Sequence, residues 1–360
     1  MKLEVYKPKY RVEECICELR ECLTNSWTGM GYKTTEFENM WKEYTGLNNA
    51  LFLNSGSSAL FLAVKALKLQ NNWSYRSEVI TTPITWIASN YAITQNNLKT
   101  TFADVDDSLN LDPESVKKKI TPHTKAIMFV GMGGNPKNLD KIAVIAKKNG
   151  LKLILDGCHM VGSKLNREHV GRESDAAIFS FHPTKNLPTA DGGMLCMKKP
   201  EDHELVKELS FYGFNSDKSA IEQPGFKYNA TSLNAALGIV GLKYLDFDNE
   251  KREKIALQYE KNLGDYSIKH NCISSRHLYQ IVVENRDLVR EKLSELGINT
   301  GIHFETSTKY PPYDVYPTPT KADYYSKRIL SIPLHLHLTE SEVVFISDTI
   351  KAVLREVHEC

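Results

Sequence analysis

The chain has 360 residues, of which 45 are Lys or Arg and 44 Asp or Glu, for a net charge of +1. At roughly 150 residues per domain this length predicts about two domains, with about three-quarters of the unfolded surface buried on folding, so no disulfide or metal staple is required. Hydrophobic content of 41% and charged content of 25% are ordinary globular values, and the balanced charge excludes a broad electrostatic footprint for nucleic acid or an anionic membrane.

The first 23 residues are charged throughout and lack the apolar core of a signal peptide. No uncharged apolar run reaches the roughly 18 residues that a membrane span requires. The expectation is a cytoplasmic protein with no membrane partner. Seven cysteines fit that compartment as reduced thiols. Cys15, Cys17 and Cys22 fall in a helix rich in Glu and Leu and read as thiols on that helix, not as metal ligands. Asn72-Trp73-Ser74 and Asn229-Ala230-Thr231 match the glycosylation pattern but are idle without a secretion signal.

In chain order, short apolar runs predict strands at Ala50–Asn54, Glu78–Thr81, Thr100–Asp104, Lys125–Gly131, Leu151–Asp156, Asp175–Phe181 and Gly193–Met197. Helices are predicted between them at Ser57–Leu69, Ile84–Gln95, Pro113–Ile120 and Leu139–Asn149. In the first, Leu60, Ala63, Val64 and Leu67 mark one buried face. Two longer helices follow, Ser232–Leu245 and Asn249–Leu263. Then come a strand at Leu278–Glu284, a helix at Arg286–Leu296, a proline-rich irregular stretch at Thr306–Thr320, a strand carrying His335 and His337, and a final helix at Thr339–Val357. Strand–helix alternation predicts an α/β domain built on a mostly parallel sheet flanked by helices, over residues 1–245, followed by a smaller α+β domain over residues 246–360. Parallel sheets bind ligands outside the carboxyl ends of their strands. His335-x-His337 has metal-like spacing, but alternation with Leu334, Leu336 and Leu338 reads as a half-buried strand, and no metal is expected. Lys117-Lys118-Lys119 reads as a solvated helix end.

Three segments stand at strand ends. Asn54-Ser55-Gly56-Ser57-Ser58 joins a strand to a helix, and small residues there let backbone N–H groups converge on an anion at the helix N-terminus. A plain serine N-cap accounts for the same residues equally well. Asp156 closes the apolar run Leu151–Asp156, where a buried carboxylate is costly unless a cation faces it. A helix-capping role is the alternative. Lys185 follows the apolar strand Asp175–Phe181 in the polar turn His182-Pro183-Thr184-Lys185-Asn186. A single lysine in a turn is normally solvated surface. Together, a lysine, an aspartate facing a cationic ring nitrogen and an anion nest form the set that holds pyridoxal phosphate.

These motifs resemble the DegT-type nucleotide-sugar aminotransferases, which are fold-type I pyridoxal phosphate enzymes. The resemblance runs over nearly the whole chain. It rests on Glu78–Pro83, Asp104-Val105-Asp106, Asp156-x-x-His159, Ser180-Phe181-His182-Pro183-Thr184-Lys185-Asn186 and Gly301-Ile302-His303-Phe304. It implies that Lys185 is the Schiff-base lysine, Asp156 the partner of the pyridine nitrogen, and His159 a group over the ring or on its 3-oxygen. Ser180, with the backbone of Gly56, Ser57 and Ser58, would take the phosphate, and Trp86 would stack on the cofactor face. It further implies a homodimer in which Gly225–Asn229 reaches the neighbouring subunit's phosphate through Lys227 or Asn229. The implied reaction is a ping-pong transamination from a donor such as L-glutamate to a nucleotide-linked keto-sugar.

Departures from the common pattern are Ala190-Asp191-Gly192-Gly193 in place of Gly-Glu-Gly-Gly, Lys227 where many relatives have Asn, Arg276 where a Trp often stands, and the segment Gly131–Pro136. They bear on the substrate pocket and the cross-subunit contact. Two other readings keep the cofactor: a sugar dehydratase, whose relatives carry His at the lysine position, and a regulatory protein without turnover. The presence of Lys185, Asp156 and Ser180 weighs against both.

Overall fold

The computed structural model describes residues 2–215, 217, 219–270 and 272–359. Helices α1 (Val12–Thr24) and α2 (Tyr32–Thr45) precede β1 (Ala50–Leu53). There follow α3 (Gly56–Gln70), β2 (Glu78–Thr81), α4 (Ile87–Thr94), β3 (Lys99–Phe102), α5 (Pro113–Lys119), β4 (Thr124–Val130), α6 (Leu139–Lys148) and β5 (Lys152–Asp156). A short hairpin, β6 (Lys164–Leu165) and β7 (Glu168–His169), leads to β8 (Ala176–Ser180), β9 (Gly193–Met197), α7 (Pro200–Ser210), α8 (Ser232–Lys243) and α9 (Leu245–Leu263). The remainder is β10 (Tyr279–Val282), α10 (Arg286–Glu295), α11 (Thr320–Ser326), β11 (Ile329–Ile332) and α12 (Glu340–Glu359).

Seven strands form one sheet in the order β1-β9-β8-β5-β4-β2-β3, in which β9 alone runs against its neighbours. Successive side chains of a strand face opposite sides, and here both sides are covered. Phe52, Ile127, Phe129, Leu153, Leu155 and Phe179 pack with Phe37 and Trp41 of α2 and with α6 and α8. Their neighbours Leu51, Leu53, Ala126, Met128, Ile154 and Ile178 pack on the other side beneath α3, α4 and α7. Burial on both faces explains why these strands read as continuous apolar runs instead of alternating ones.

A second core, with Ile255, Tyr259, Tyr279, Ile281, Val289, Leu330, Ile346 and Ile350, joins α9, α10 and α12 to the antiparallel pair β10–β11. Leu3 is part of this core, and the N-terminal segment pairs there through Leu3 and Ile298. The expected strand at His335-x-His337 does not form. Pro333 follows β11 directly and cannot donate to a ladder, and the segment turns into α12. Helix α4 begins at Ile87, not Ile84. Ile84 instead bridges to Thr306 and its N–H is taken by Thr82 Oγ1, so residues 83–86 remain a loop. Elements not anticipated are α2, α7, α11, β11 and the β6–β7 hairpin.

Candidate active site

The carboxyl ends of β1, β2, β4, β5 and β8 meet at one edge of the sheet, where a cavity of about 460 Å³ opens between the large sheet and the C-terminal part of the chain. Gly56, Ser57, Trp86, Asp156, His159, Ser180 and Lys185 all line it. Residues spread over 130 positions of sequence are thus brought to one surface by strand ends that the fold aligns.

The anion cradle begins at Ser55, which has extended backbone angles and whose Oγ accepts the N–H of Ser58 at 3.1 Å. Ser55 is therefore the N-cap of α3, and the cap is compatible with the anion nest expected from the sequence. Capping uses the Ser58 amide and leaves those of Gly56 and Ser57, which have no intrahelical acceptor. The Ser58 backbone, expected to join the nest, has its amide on the Ser55 cap, its hydroxyl shares its one proton between Asn54 Oδ1 at 2.7 Å and Ser55 O at 2.9 Å, and Ser58 does not line the cavity. Side chains would not fit in this cradle. A Cβ on Gly56 would lie 3.0 Å from Ser180 Cβ, and one on Gly193 would lie 2.5 Å from Ser55 O. Strand β9 runs close beneath the loop because Gly193 has no side chain.

Asp156 ends β5 and is 4% exposed. Its Oδ2 accepts the hydroxyl of Ser89 at 2.6 Å, Ser89 in turn meets Thr85 at 2.8 Å, and Oδ1 accepts the amide of Cys158 at 3.1 Å. Among the described residues no cation pairs with it. A buried carboxylate with hydrogen bonds but no salt-bridge partner is suited to a cationic ring nitrogen arriving in the cavity. Lys185 sits in the turn after β8, anchored by its own N–H to His182 O at 2.8 Å. Burial holds its ammonium below the usual lysine range, against the opposing pull of Cys158 and Asp156. An amine pushed that way is suited to act as nucleophile and base.

His159 lies in the wall. Burial, with Lys185 and His303, pushes its pKa well down, and the amide of Gly133 reaches Nδ1 at 3.4 Å. A ring that accepts at Nδ1 is neutral with its proton on Nε2. The Gly131–Pro136 segment therefore bears on the site directly. A Cβ on Gly131 would overlap Met160 Sδ, and Gly134, at φ +94°, lies against His159 O. The rings of His159 and His277 are 4.3 Å apart. Trp86 is 63% exposed at the cavity rim, 6.1 Å from Phe304, so it is not a core residue. Lys227 and Asn229 do not line this cavity. Lys227 Nζ donates to Asn229 Oδ1 at 2.5 Å on an exposed segment that pairs with the end of β1.

Sequence reasoning missed Ser89, Cys158 and Tyr6. Ser89 was legible in principle, one helical turn beyond Trp86. Tyr6 was not. Its hydroxyl reaches His303 Nε2 at 3.0 Å across 297 positions, and His303 Nδ1 meets Ser331 Oγ at 2.9 Å. Ala190, where relatives carry Gly, has φ +66°, which explains the glycine preference at that position. Arg276 is buried and paired with Glu253 and Glu260. The turn carrying it also carries Ser275, whose Oγ donates to His159 O at 2.6 Å.

A largely parallel sheet with a strand-end carboxylate, a turn-borne lysine and free amides at a helix N-terminus is the arrangement expected of a pyridoxal phosphate enzyme of fold type I. The chain belongs to the DegT/DnrJ/EryC1/StrS aminotransferase family, whose model matches residues 9–351, and it is a pyridoxal phosphate-dependent sugar aminotransferase. It is 32% identical to the spore coat polysaccharide biosynthesis protein SpsC of Bacillus subtilis, over 95% of this chain and 94% of that protein. PseC of Helicobacter pylori, an aminotransferase involved in the biosynthesis of pseudoaminic acid, superposes with a TM-score of 0.93 at 26% identity, covering 99% of this chain and 100% of that one. The pyridoxal phosphate form of the sugar aminotransferase Spr1654 of Streptococcus pneumoniae gives 0.91 at 27% identity, over 99% and 100%. No helix among the described residues is long and apolar enough to cross a membrane.

Proposed function

We propose that this enzyme moves an amino group from L-glutamate to the carbon-3 or carbon-4 ketone of a nucleotide-linked deoxysugar, in the cytoplasm, as a homodimer with active sites shared across the interface. The observation that carries the reading is the convergence of Lys185, Asp156 and the Gly56–Ser57–Ser180 cradle on one cavity. Relatives named for polysaccharide and pseudoaminic acid biosynthesis support the sugar substrate.

When bound, pyridoxal phosphate supplies an electrophilic carbon for amines and a sink for electrons released at the substrate carbon. The chain's residues do the rest. Ser180 and the amides of Gly56 and Ser57 would hold the phosphate, and Asp156, kept in place by Ser89 and Cys158, would hold a proton on the ring nitrogen. The Nζ of Lys185, biased toward its neutral form by burial, takes a proton from the α-carbon of the donor and returns one to the aminated carbon of the sugar. Trp86 would stack on a face of the ring, and neutral His159 would lie over the ring or reach its 3-oxygen. Lys227 or Asn229 of a second copy contributes to the phosphate contact.

The test is incubation with ¹⁵N-glutamate and a panel of keto-sugar nucleotides, read by mass spectrometry. Label is expected in a single amino-sugar nucleotide. Lys185→Ala is expected to abolish both turnover and the borohydride-fixable chromophore, and a fully active Lys185→Ala variant would falsify the assignment of Lys185.

A further inference from the structure

The cavity wall that faces the sheet edge carries polar groups with no part in holding the cofactor. Tyr6, from the N-terminal segment, and Ile302, His303 and Phe304, from the C-terminal part, line it. Among the described residues Lys185 is the only lysine or arginine in the whole lining. Tyr6 is fixed by stacking on His277, with ring centroids 5.7 Å apart, and by the edge of His303. His303 is folded over Gly301, where a Cβ would overlap its Cε1. Ser331, in β11, is fully buried, and among the described residues its Oγ meets only His303 Nδ1, at 2.9 Å. A buried hydroxyl that does not donate leaves its proton unpaired, so Ser331 donates and Nδ1 accepts. Burial, with Lys185, lowers the His303 pKa to about 4. The ring is therefore neutral, and its one proton lies on Nε2. That N–H donates to Tyr6 Oη at 3.0 Å. The proton of the Tyr6 hydroxyl is left with no acceptor among the described residues, at a residue that borders the cavity.

We propose that Tyr6 is a specificity-determining residue whose hydroxyl donates to a sugar hydroxyl on the carbon beside the ketone, with His303 and Ser331 as positioning residues that fix the direction of that bond. The inference rests on the sugar substrate proposed above. A carboxylate, as in the amino donor, gains most from charge-assisted bonds, and this wall offers none. A neutral donor beside the apolar side chains of Ile302, Phe304 and Trp86 suits a sugar ring, with polar edges and C–H faces. Lys185 acts on His303 and shares a small recess with Tyr6, so Tyr6 stands close to the reacting carbon. The ketone oxygen leaves as water and needs an acid. Burial raises the pKa of the Tyr6 phenol, which keeps its proton and suits a lasting bond to a neighbouring hydroxyl.

Neutron diffraction from a deuterium-exchanged crystal of the cofactor-loaded enzyme reads the proton positions without any substrate. Deuterium is expected on His303 Nε2, with the Tyr6 deuteron directed into the cavity, and deuterium on His303 Nδ1 overturns the proposal. Stopped-flow absorbance then separates the two half-reactions of Tyr6→Phe, which keeps the stacked ring. One half-reaction uses L-glutamate. The other uses the keto-sugar nucleotide that acquires ¹⁵N, alongside its analogue deoxygenated at the carbon beside the ketone. Loss of one hydrogen bond between uncharged groups predicts a roughly three- to tenfold fall in kcat/KM for the sugar, carried by KM, and a smaller fall for glutamate. With the deoxygenated analogue, variant and wild type should match. An unchanged sugar half-reaction, equal losses in both half-reactions, or the same loss with the analogue overturns the proposal. If glutamate converts the cofactor but no keto-sugar nucleotide is aminated, the sugar reading itself fails and this inference falls with it.

Discussion

Replacing Arg276 by Ala tests how the chain accommodates its departure from the tryptophan common in relatives. The guanidinium is 2% exposed and makes three contacts: Nε to Glu253 Oε2 at 2.6 Å, Nη2 to Glu253 Oε1 at 3.1 Å, and Nη2 to Glu260 Oε1 at 3.2 Å. Charge-assisted hydrogen bonds contribute about 1.5–3 kcal/mol each. Glu253 and Glu260 are 36% and 23% exposed, so they regain water when the arginine is removed, and much of the Coulombic loss is recovered. The cavity left by a large buried side chain adds to the cost. The sum is about 3–4 kcal/mol, within the range for breaking a buried ion pair. Arg276→Trp removes the charge but fills the space and is expected to cost less than about 2 kcal/mol. Urea denaturation followed by circular dichroism, at saturating cofactor so that ligand linkage is constant, measures both. A loss below about 1 kcal/mol for Arg276→Ala, or equal losses for the two variants, would refute the reasoning. The alanine variant should also loosen His159, because Ser275 in the same turn holds its carbonyl.

Ser89→Ala removes the 2.6 Å bond to Asp156. Losing one hydrogen bond to a charged group, about 1.5–3 kcal/mol, predicts roughly ten- to hundredfold weaker cofactor binding by spectroscopic titration, with little change in fold. Ala190→Gly relieves the left-handed backbone at φ +66°. It should stabilise the native state by about 0.5–1 kcal/mol, the strain being partly offset by the entropy of the new glycine, as read from the urea midpoint. Burial lowers the pKa values of His169, His303 and His335 to about 4 and that of His270 to about 3. Their folded-state values lie below the unfolded ones, so stability is full above pH 6.5. It falls as pH drops from 6.5 toward 4, by up to about 1.4 kcal/mol per pH unit for each histidine. Urea midpoints that stay constant over that window would contradict it.

Much of the fold was legible because burial on both faces of a parallel sheet writes itself as apolar runs separated by amphipathic helices. The seven sheet strands were placed within two residues of their observed ends. Helix α7 escaped because only Leu205, Val206 and Leu209 mark its apolar face in a run of charged residues, and β11 because an apolar run of four residues is too short to carry periodicity. His335-x-His337 misled because alternation of leucine and histidine mimics a strand, whereas Pro333 and the approach of α12 decide the backbone.

For the site, Lys185, Asp156 and the Ser55–Ser57 loop could be picked out locally, since each lies at or just past the end of a readable element, whereas the role expected of Ser180 came with the family resemblance. What the linear order alone determines about this protein is therefore the set of groups and the strand ends that carry them. Their meeting in one cavity, the hold of Ser89 on Asp156 and the Tyr6–His303 contact were decided only by the tertiary structure. These depend on distances between residues that the chain separates by tens to hundreds of positions. No local propensity encodes such distances; packing of the two cores around the sheet edge sets them.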